Sequence, residues 1–257
     1  VPDHVLPKKS ALVTGGAKRI GRAICEGLAN LGFSVAIHAN SSLAEAEEFA
    51  RSLRDSGAEA VALQADLRNE AETLDLIRHA HRALGGLGVV VNNASVFQPD
   101  WVTDFDRETW DGHFDVHVRA PSILAGEYAR LLDQNEKGLI VNIIDQRVWA
   151  PTPNYYSYML SKAAMLMATK TMAMSLAPRI RVNAIGPGPT LPNVRQTQAD
   201  FEKQTGALLL GKGPDLSEFA RTIAYFHGAS SVTGQMIALD GGQHLAWETP
   251  DVAGLAE

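Results

Sequence analysis

The sequence predicts a single doubly wound α/β domain, a parallel sheet covered by helices on both faces. Three observations lead there. Short apolar runs alternate with longer amphipathic stretches along the 257 residues. Several of these runs are apolar at successive positions, as strands buried on both faces require. The first run leads directly into a glycine-rich turn and then a helix.

The first strand is Ala11-Leu12-Val13, and its helix reaches about Leu31. Val35-Ala36-Ile37 with a helix from Ala44 to Arg54, and Ala60-Val61-Ala62-Leu63 with a helix from Glu70 to Leu84, repeat the unit. Val89-Val90-Val91 is the fourth strand, and a long helical region runs from about Arg107 to Leu132. The run Leu139-Ile140-Val141-Asn142-Ile143-Ile144 is the fifth, followed by a helix carrying Tyr158 and by Ile180-Arg181-Val182-Asn183-Ala184-Ile185. The interruption from Gly186 to Gly213 is long for a compact domain and is the candidate substrate loop. A short helix from about Leu216, a strand from Met236 to Leu239 and a C-terminal tail at 244–257 complete the chain. No linker, repeat or low-complexity stretch divides it, so residues 1–257 are expected to form one domain.

A hydrophobic fraction of 46% suffices for a large core. The net charge of -6 supplies no basic field, and no Lys/Arg cluster is denser than Pro7-Lys8-Lys9, so nucleic acid is not an expected partner. The single cysteine, Cys25, excludes an intrachain disulfide and a cysteine metal site, and fits a reducing compartment. The first residues lack an apolar signal core, and no run approaches the ~20 apolar residues of a membrane span; a soluble, cytoplasmic protein is the expectation.

The turn Thr14-Gly15-Gly16-Ala17-Lys18-Arg19-Ile20-Gly21 lies between strand and helix. Glycine there lets the backbone approach an anion, and the helix N-terminus presents free N–H groups to it. Dinucleotide folds that take NAD carry an acidic residue about 20 positions on, against the ribose hydroxyls. Here that place reads His38-Ala39-Asn40-Ser41-Ser42, with no carboxylate. A 2′-phosphate would meet no repulsion, and Lys18, Arg19, Ser41 and Ser42 are suited to hold it, so NADP(H) is the expected cofactor. At later strand ends Asp66 and Leu67 are placed toward the adenine, and Asn93, Ala94 and Ser95 toward the rest of the cofactor. Asn92 and Asn93 equally suit a turn whose backbone needs partners.

Tyr158-Met159-Leu160-Ser161-Lys162, with Asp145 thirteen residues before the tyrosine, carries the chemistry. Positions four apart share a helix face, so phenol and ammonium can point into one cleft. A nearby cation draws a phenol pKa down from about 10, toward useful general acid catalysis. The bland counterpart is a half-buried tyrosine beside a snorkelling lysine. His113 and His117 have the spacing of a metal pair, but the carboxylate of a His-Glu-x-x-His motif is missing, so no metal site is expected.

The turn from Thr14 to Gly21, Asn92-Asn93-Ala94, Tyr158-x-x-x-Lys162 and Gly186-Pro187-Gly188 together resemble the short-chain dehydrogenase/reductase family, over nearly the whole chain. The resemblance implies a Rossmann-like fold, an NAD(P)-dependent oxidoreductase and usually a homotetramer. It implies that Tyr158 is the acid/base, that Lys162 binds the nicotinamide ribose, and that Gly15, Ile20, Gly21, His38, Pro187 and Gly188 lie at the cofactor. Two departures stand out: Asp145 replaces the family's serine, and Arg19 its glycine. Both resemble pteridine reductases, whose Asn-Ala-Ser followed by phenylalanine is matched by Asn93-Ala94-Ser95-Val96-Phe97. That branch implies Phe97 stacked on a flat pterin, Ser95 and Arg19 bonded to substrate and cofactor phosphate, and Asp145 working with Tyr158 in protonation.

Elementary electrostatics points the same way. An ionised aspartate repels the alkoxide that a ketone becomes, forfeiting stabilisation worth about 10²- to 10³-fold. A C=N bond develops its negative charge on nitrogen and needs a proton, which a carboxyl or a carboxylate-oriented water can relay. Capping the turn after the fifth strand is the other role open to Asp145. His117 stands where the family has an asparagine that holds water near the lysine, and its near-neutral pKa makes it a candidate proton carrier. Trp101, Trp149 and the Tyr155-Tyr156 pair suit either a pocket rim or an interface. The expected function is NADPH-dependent hydride transfer to a pterin or dihydropterin C=N bond. The alternatives are reduction of another carbonyl or imine, or a non-catalytic NADP(H)-binding protein.

Overall fold

The computed structural model describes residues 6–192 and 195–247. Three strand–helix units come first: β1 (Ser10–Val13) and α1 (Arg19–Asn30), β2 (Ser34–Ala39) and α2 (Leu43–Asp55), β3 (Ala60–Gln64) and α3 (Glu70–Ala83). Then β4 (Val89–Asn92) leads into α4 (Arg107–Phe114), which continues through a π-helical turn, Asp115–Arg119, into α5 (Ala120–Leu131). After β5 (Gly138–Ile143) come α6 (Tyr156–Leu176), β6 (Ile180–Pro187), α7 (Gln198–Gly206), α8 (Leu216–Gly228) and β7 (Met236–Leu239).

The seven strands among the described residues are all parallel, in the order β3-β2-β1-β4-β5-β6-β7. The chain builds outward from β1 to β3 and then crosses back to place β4 on the other side of β1. Ala11 pairs with Val89 and Val13 with Val91. This reversal opens a crevice at the C-terminal ends of β1 and β4, where ligands of open α/β sheets bind. Successive strand residues face opposite layers. Val13, Val91 and Val141 pack with Ile24, Leu28, Phe219 and Phe226 of α1 and α8. Leu12, Val90 and Ile140 pack with Leu76, Ile77, Leu124 and Tyr128 of α3 and α5.

Two elements differ from the sequence expectation. The predicted helix from Arg107 to Leu132 is present as one rod, but it widens by a π turn around His117, where Ala120 N–H bonds to Asp115 O, five residues back. Pro121 is the physical reason: it has no N–H for the carbonyl of His117. The candidate substrate loop holds a helix, α7, capped by reciprocal bonds between Thr197 and Asp200. None of its residues is buried, so no apolar period announces it. Residues 193–194 of that loop, and 248–257 of the tail, lie outside the described residues. No helix among the described residues is long and apolar enough to cross a membrane.

Candidate active site

The glycine turn is stitched to the end of β4 by small polar side chains. Thr14 Oγ1 accepts the N–H groups of Asn93 at 2.9 Å and Ala94 at 3.0 Å. Asn93 Nδ2 donates back to Thr14 O at 2.8 Å and Gly15 O at 3.1 Å. Gly15 has φ +62, and a Cβ on Gly21 would stand 2.1 Å from Gly15 O. No side chain fits between those two backbones. Lys18, the N-cap of α1, makes no side-chain cap bond, and the first turn of the helix has no acidic residue. The N–H groups there are thus left to an anion.

Arg19 opens α1 at φ 52, a left-handed conformation that glycine adopts without strain. Its side chain lines the cleft and donates to Leu191 O at 3.3 Å. His38 lies beneath the turn rather than in the cleft. It is buried, its Nδ1 accepts Gly15 N–H at 3.0 Å, and its Nε2 bonds Ala65 O at 3.0 Å. Leu67 belongs to the core. Further out, Ser41 is exposed and Ser42 partly so, and Lys18 pairs with Glu45 at 2.8 Å. Arg68 holds the Asp66 carboxylate from 3.0 Å, and its hydrogen bonds keep that carboxyl below the usual range.

At the other end of the crevice, β5 ends in a 3-10 turn, Gln146–Val148, whose N-cap is Asp145. The two roles weighed for this residue coexist. Its Oδ1 accepts Arg147 N–H at 2.8 Å, and its Oδ2 accepts the Tyr158 hydroxyl at 2.9 Å. Lys162 lies one turn along α6, buried, with Nζ donating to Ile143 O at 3.0 Å. The expected fall of the tyrosine pKa does not occur. Burial, then the charge and hydrogen bond of Asp145, hold the phenol well above its ordinary value, and Arg147 alone opposes them. A carboxylate at hydrogen-bond distance outweighs an ammonium turned toward a backbone carbonyl. Burial instead pushes Lys162 down to about 8, with Asp145 opposing.

The surroundings of His117 disfavour the proton-carrying role its position suggested. Its Nε2 accepts Val96 N–H at 3.1 Å and contacts Ser95 Oγ at 2.9 Å, while Nδ1 meets Ser161 Oγ at 2.8 Å. A nitrogen that accepts from a backbone N–H carries no proton, so the ring is the neutral Nδ1–H tautomer. Protonating Nε2 would set two N–H groups against each other. Burial and the Lys162 charge add to this and hold the histidine well below its usual pKa. His113 repeats the pattern one turn earlier, taking Gln98 N–H at 3.2 Å on Nε2 and meeting Ser157 Oγ at 2.7 Å. Ser157 in turn donates to Asp100. The pair therefore grips alternate residues of the segment after β4, Val96 and Gln98, on either side of Phe97. Phe97 itself lines the cleft.

The profile of the short chain dehydrogenases matches residues 9–203. The chain belongs to this family. A 3-oxoacyl-[acyl-carrier-protein] reductase FabG of Staphylococcus epidermidis is 28% identical over 92% of this chain and 99% of its own. A short-chain type dehydrogenase/reductase of Picea abies is 31% identical over 91% of each. The crystal structure of FolM alternative dihydrofolate reductase 1 from Brucella canis, complexed with NADP, superposes with a TM-score of 0.92 and is 54% identical, covering 95% of this chain and 96% of that one.

In this short-chain dehydrogenase one cleft is lined by Arg19, Ile20, Asn93, Ser95, Phe97, Asp145, Tyr158, Lys162, Pro187 and Gly188 of the sequence-predicted residues. Gly15, Lys18, Gly21, His38, Ser41, Ser42, Asp66, Leu67 and Ala94 do not line it. Gly15 and Gly21 shape the turn behind it, whereas Ser41, Ser42 and Asp66 stand at the neighbouring strand ends. The cleft also takes in Arg147, Phe201 and Gln204, which the sequence reading missed. The Thr197-x-x-Asp200 capping box was the signal for α7 and hence for the last two. Tyr155, at φ 63, stacks on Phe97 with centroids 4.3 Å apart and backs that ring from outside the cleft. Trp101 and Trp149 are exposed and do not line it.

Proposed function

We propose that this short-chain dehydrogenase is an NADPH-dependent reductase of a pterin or dihydropterin C=N bond. The observation that carries the reading is the Tyr158 hydroxyl donating to Asp145 Oδ2 at 2.9 Å, with the ring of Phe97 at the same cleft. A serine in place of Asp145 would offer a donor to a developing alkoxide; a carboxylate offers only acceptors unless protonated. Such a pair suits a nitrogen that must receive a proton. The 54% identity to FolM alternative dihydrofolate reductase 1 supports the reading.

The residues fit NADP(H). The Gly15–Gly21 cradle has no room for a Cβ, the N-terminus of α1 is uncapped by side chains, and the end of β2 carries serines where NAD folds carry an acid. Arg19, Lys18, Ser41 and Ser42 would hold the 2′-phosphate, and Glu45, the nearby carboxylate, is neutralised by Lys18. Asp66 would meet the adenine, and Asn93, Ala94, Ser95, Pro187 and Gly188 would border the rest. When bound, NADPH supplies the hydride. Tyr158 keeps its proton because its pKa is held high, Asp145 orients that proton, and Lys162 contributes a positive charge beside them. Phe97 presents a flat wall to a flat ring, and Ser95 and Arg19 flank it. We place the enzyme in the cytoplasm, as the sequence expectation has it, and as a homotetramer, as the family resemblance implies.

The FabG relatives favour a second reading, reduction of a carbonyl by the same Tyr158 and Lys162. One assay separates the two. NADPH oxidation with dihydrobiopterin, dihydromonapterin or dihydrofolate, and none with a 3-oxoacyl thioester, is the expected result. Turnover of the thioester alone refutes the pterin reading. Tyr158→Phe should lower turnover by about 10²- to 10⁴-fold and leave the Kd for NADPH within about twofold.

A further inference from the structure

Among the described residues three cations line the cleft, Arg19, Arg147 and Lys162, against one carboxylate, Asp145. Arg19 and Lys162 each donate to a backbone carbonyl, Leu191 O and Ile143 O. The guanidinium of Arg147 is different: it is partly buried, its charge acts on the Tyr158 phenol, and among the described residues it makes no hydrogen bond or ion pair but lies against two rings. Its Cζ lies 5.8 Å from the centroid of Phe97 and 5.7 Å from that of Tyr155. Those rings are stacked, parallel within 14° and 4.3 Å apart, and the guanidinium lies over them. A cation–π contact of this kind is worth about 0.5–1 kcal/mol, so it positions Arg147 while using none of its N–H donors. Asp145 accepts from the backbone N–H of Arg147, not from its guanidinium.

Cofactor phosphates do not account for this group. Their site is the N-terminus of α1 at the end of β1, whereas Arg147 follows β5, two strands along the sheet. Arg147 stands instead beside Phe97 and Asp145, at the end of the cleft where the reducible ring is read to lie. We propose that Arg147 is a substrate-recognition residue, which grips an oxyanion, carboxylate or phosphate, carried on the substrate beyond that ring. The proposal rests on the reductase reading of the cleft. A guanidinium offers a planar fork of N–H donors that matches either anion bidentately.

The test compares wild type, Arg147→Leu and Arg147→Lys in NADPH oxidation with dihydrofolate, dihydroneopterin monophosphate and neutral dihydrobiopterin. Relative to the neutral substrate, kcat/KM for an anionic one should fall at least about tenfold in Arg147→Leu, chiefly through KM, with partial retention in Arg147→Lys. The anion that loses more identifies the natural group. An unchanged ratio, or an equal loss on all three substrates, overturns the proposal. If wild type reduces none of them, the pterin reading fails while the subsite remains testable. Calorimetric titration of the NADP⁺-saturated protein with benzoate and with benzamide should then show a preference for benzoate that Arg147→Leu abolishes. No preference refutes the subsite as well.

Discussion

The glycine turn after β1 and the tyrosine site at the start of α6 face the same cleft, yet different physics holds them. The turn is fixed by shape: glycines at Gly15 and Gly21 where no Cβ fits, and short bonds from Thr14 and Asn93. Apart from the left-handed Arg19, nothing in it is in conflict. The tyrosine site is built from groups the folded chain holds against their preference. Lys162 is buried with its pKa pushed down to about 8, Tyr158 is buried beside a carboxylate, and Tyr155 sits at φ 63. Buried Asn92 Oδ1 and Gln146 Oε1, at the ends of β4 and β5, lack partners among the described residues. Groups that must bind a rigid anion can be relaxed in advance. Groups that must exchange a proton and hold a charge in a dry site retain unfavourable interactions, and stability elsewhere sustains them.

Lys162→Met breaks this contrast with the largest expected effect. Turnover should drop by about 10²- to 10⁴-fold, since the positive charge beside Tyr158 is lost. Stability should move the other way. The folded-state pKa of Lys162, about 8, lies below its unfolded value of 10.5. Between those values the unfolded chain binds more protons, so stability rises with pH across the window, and the burial penalty is present in full below pH 8. At about 1.4 kcal/mol per unit, the methionine variant should gain up to about 3 kcal/mol at pH 7. Urea unfolding at pH 7 and near pH 10.5 checks the sign. A gain that does not shrink at the higher pH means that packing, not charge, produced it.

The turn should respond in the opposite sense, losing binding and gaining nothing. Gly21→Ala forces a Cβ to within 2.1 Å of Gly15 O, so backbone must shift. Overpacking of that kind costs about 1–3 kcal/mol, which corresponds to about 5- to 150-fold in the Kd for NADPH by fluorescence titration. Gly126→Ala, in α5 with open space around its Cβ position, is the control. It should leave that Kd unchanged and stabilise the fold by about 0.5–1 kcal/mol.

The same contrast explains what the sequence made legible. Strand runs, the strand–turn–helix context of Thr14 to Gly21 and the four-residue spacing of Tyr158 and Lys162 are local patterns, and the sheet and the cleft follow from them. Asp145 was visible for a related reason, because it sits at a fixed interval from the tyrosine. Electrostatic balance was not legible. The spacing places Lys162 near Tyr158, but the direction of the phenol shift is set by burial and by the Asp145 carboxylate, while Nζ turns to Ile143 O. Arg147 was passed over because nothing local marks a guanidinium that meets rings but no carboxylate among the described residues; that requires knowing what surrounds it. His38, assigned to the cofactor from its strand-end position, faces inward because strand side chains alternate and its ring meets Gly15 and Ala65.

His117→Ala sharpens the comparison with the smallest expected change, and it separates a proton route from a wall. If His117 relayed protons, kcat would fall and an ionisation between pH 5 and 7 would disappear from the rate profile. The hydrogen bonds argue otherwise: Val96 N–H already occupies Nε2, and the histidine is held well below its usual pKa. The wild-type profile should thus show no histidine limb in that range, and the variant should have the same shape. What the alanine removes is the anchor of the segment that carries Phe97. Val96 N–H and Ser161 Oγ lose their partner, at a cost of about 1–3 kcal/mol of stability. KM for the substrate should rise several-fold, while the Kd for NADPH, set by the turn on the far side of the cleft, should change by less than about twofold. A loss confined to kcat, with KM intact, would return His117 to the proton path.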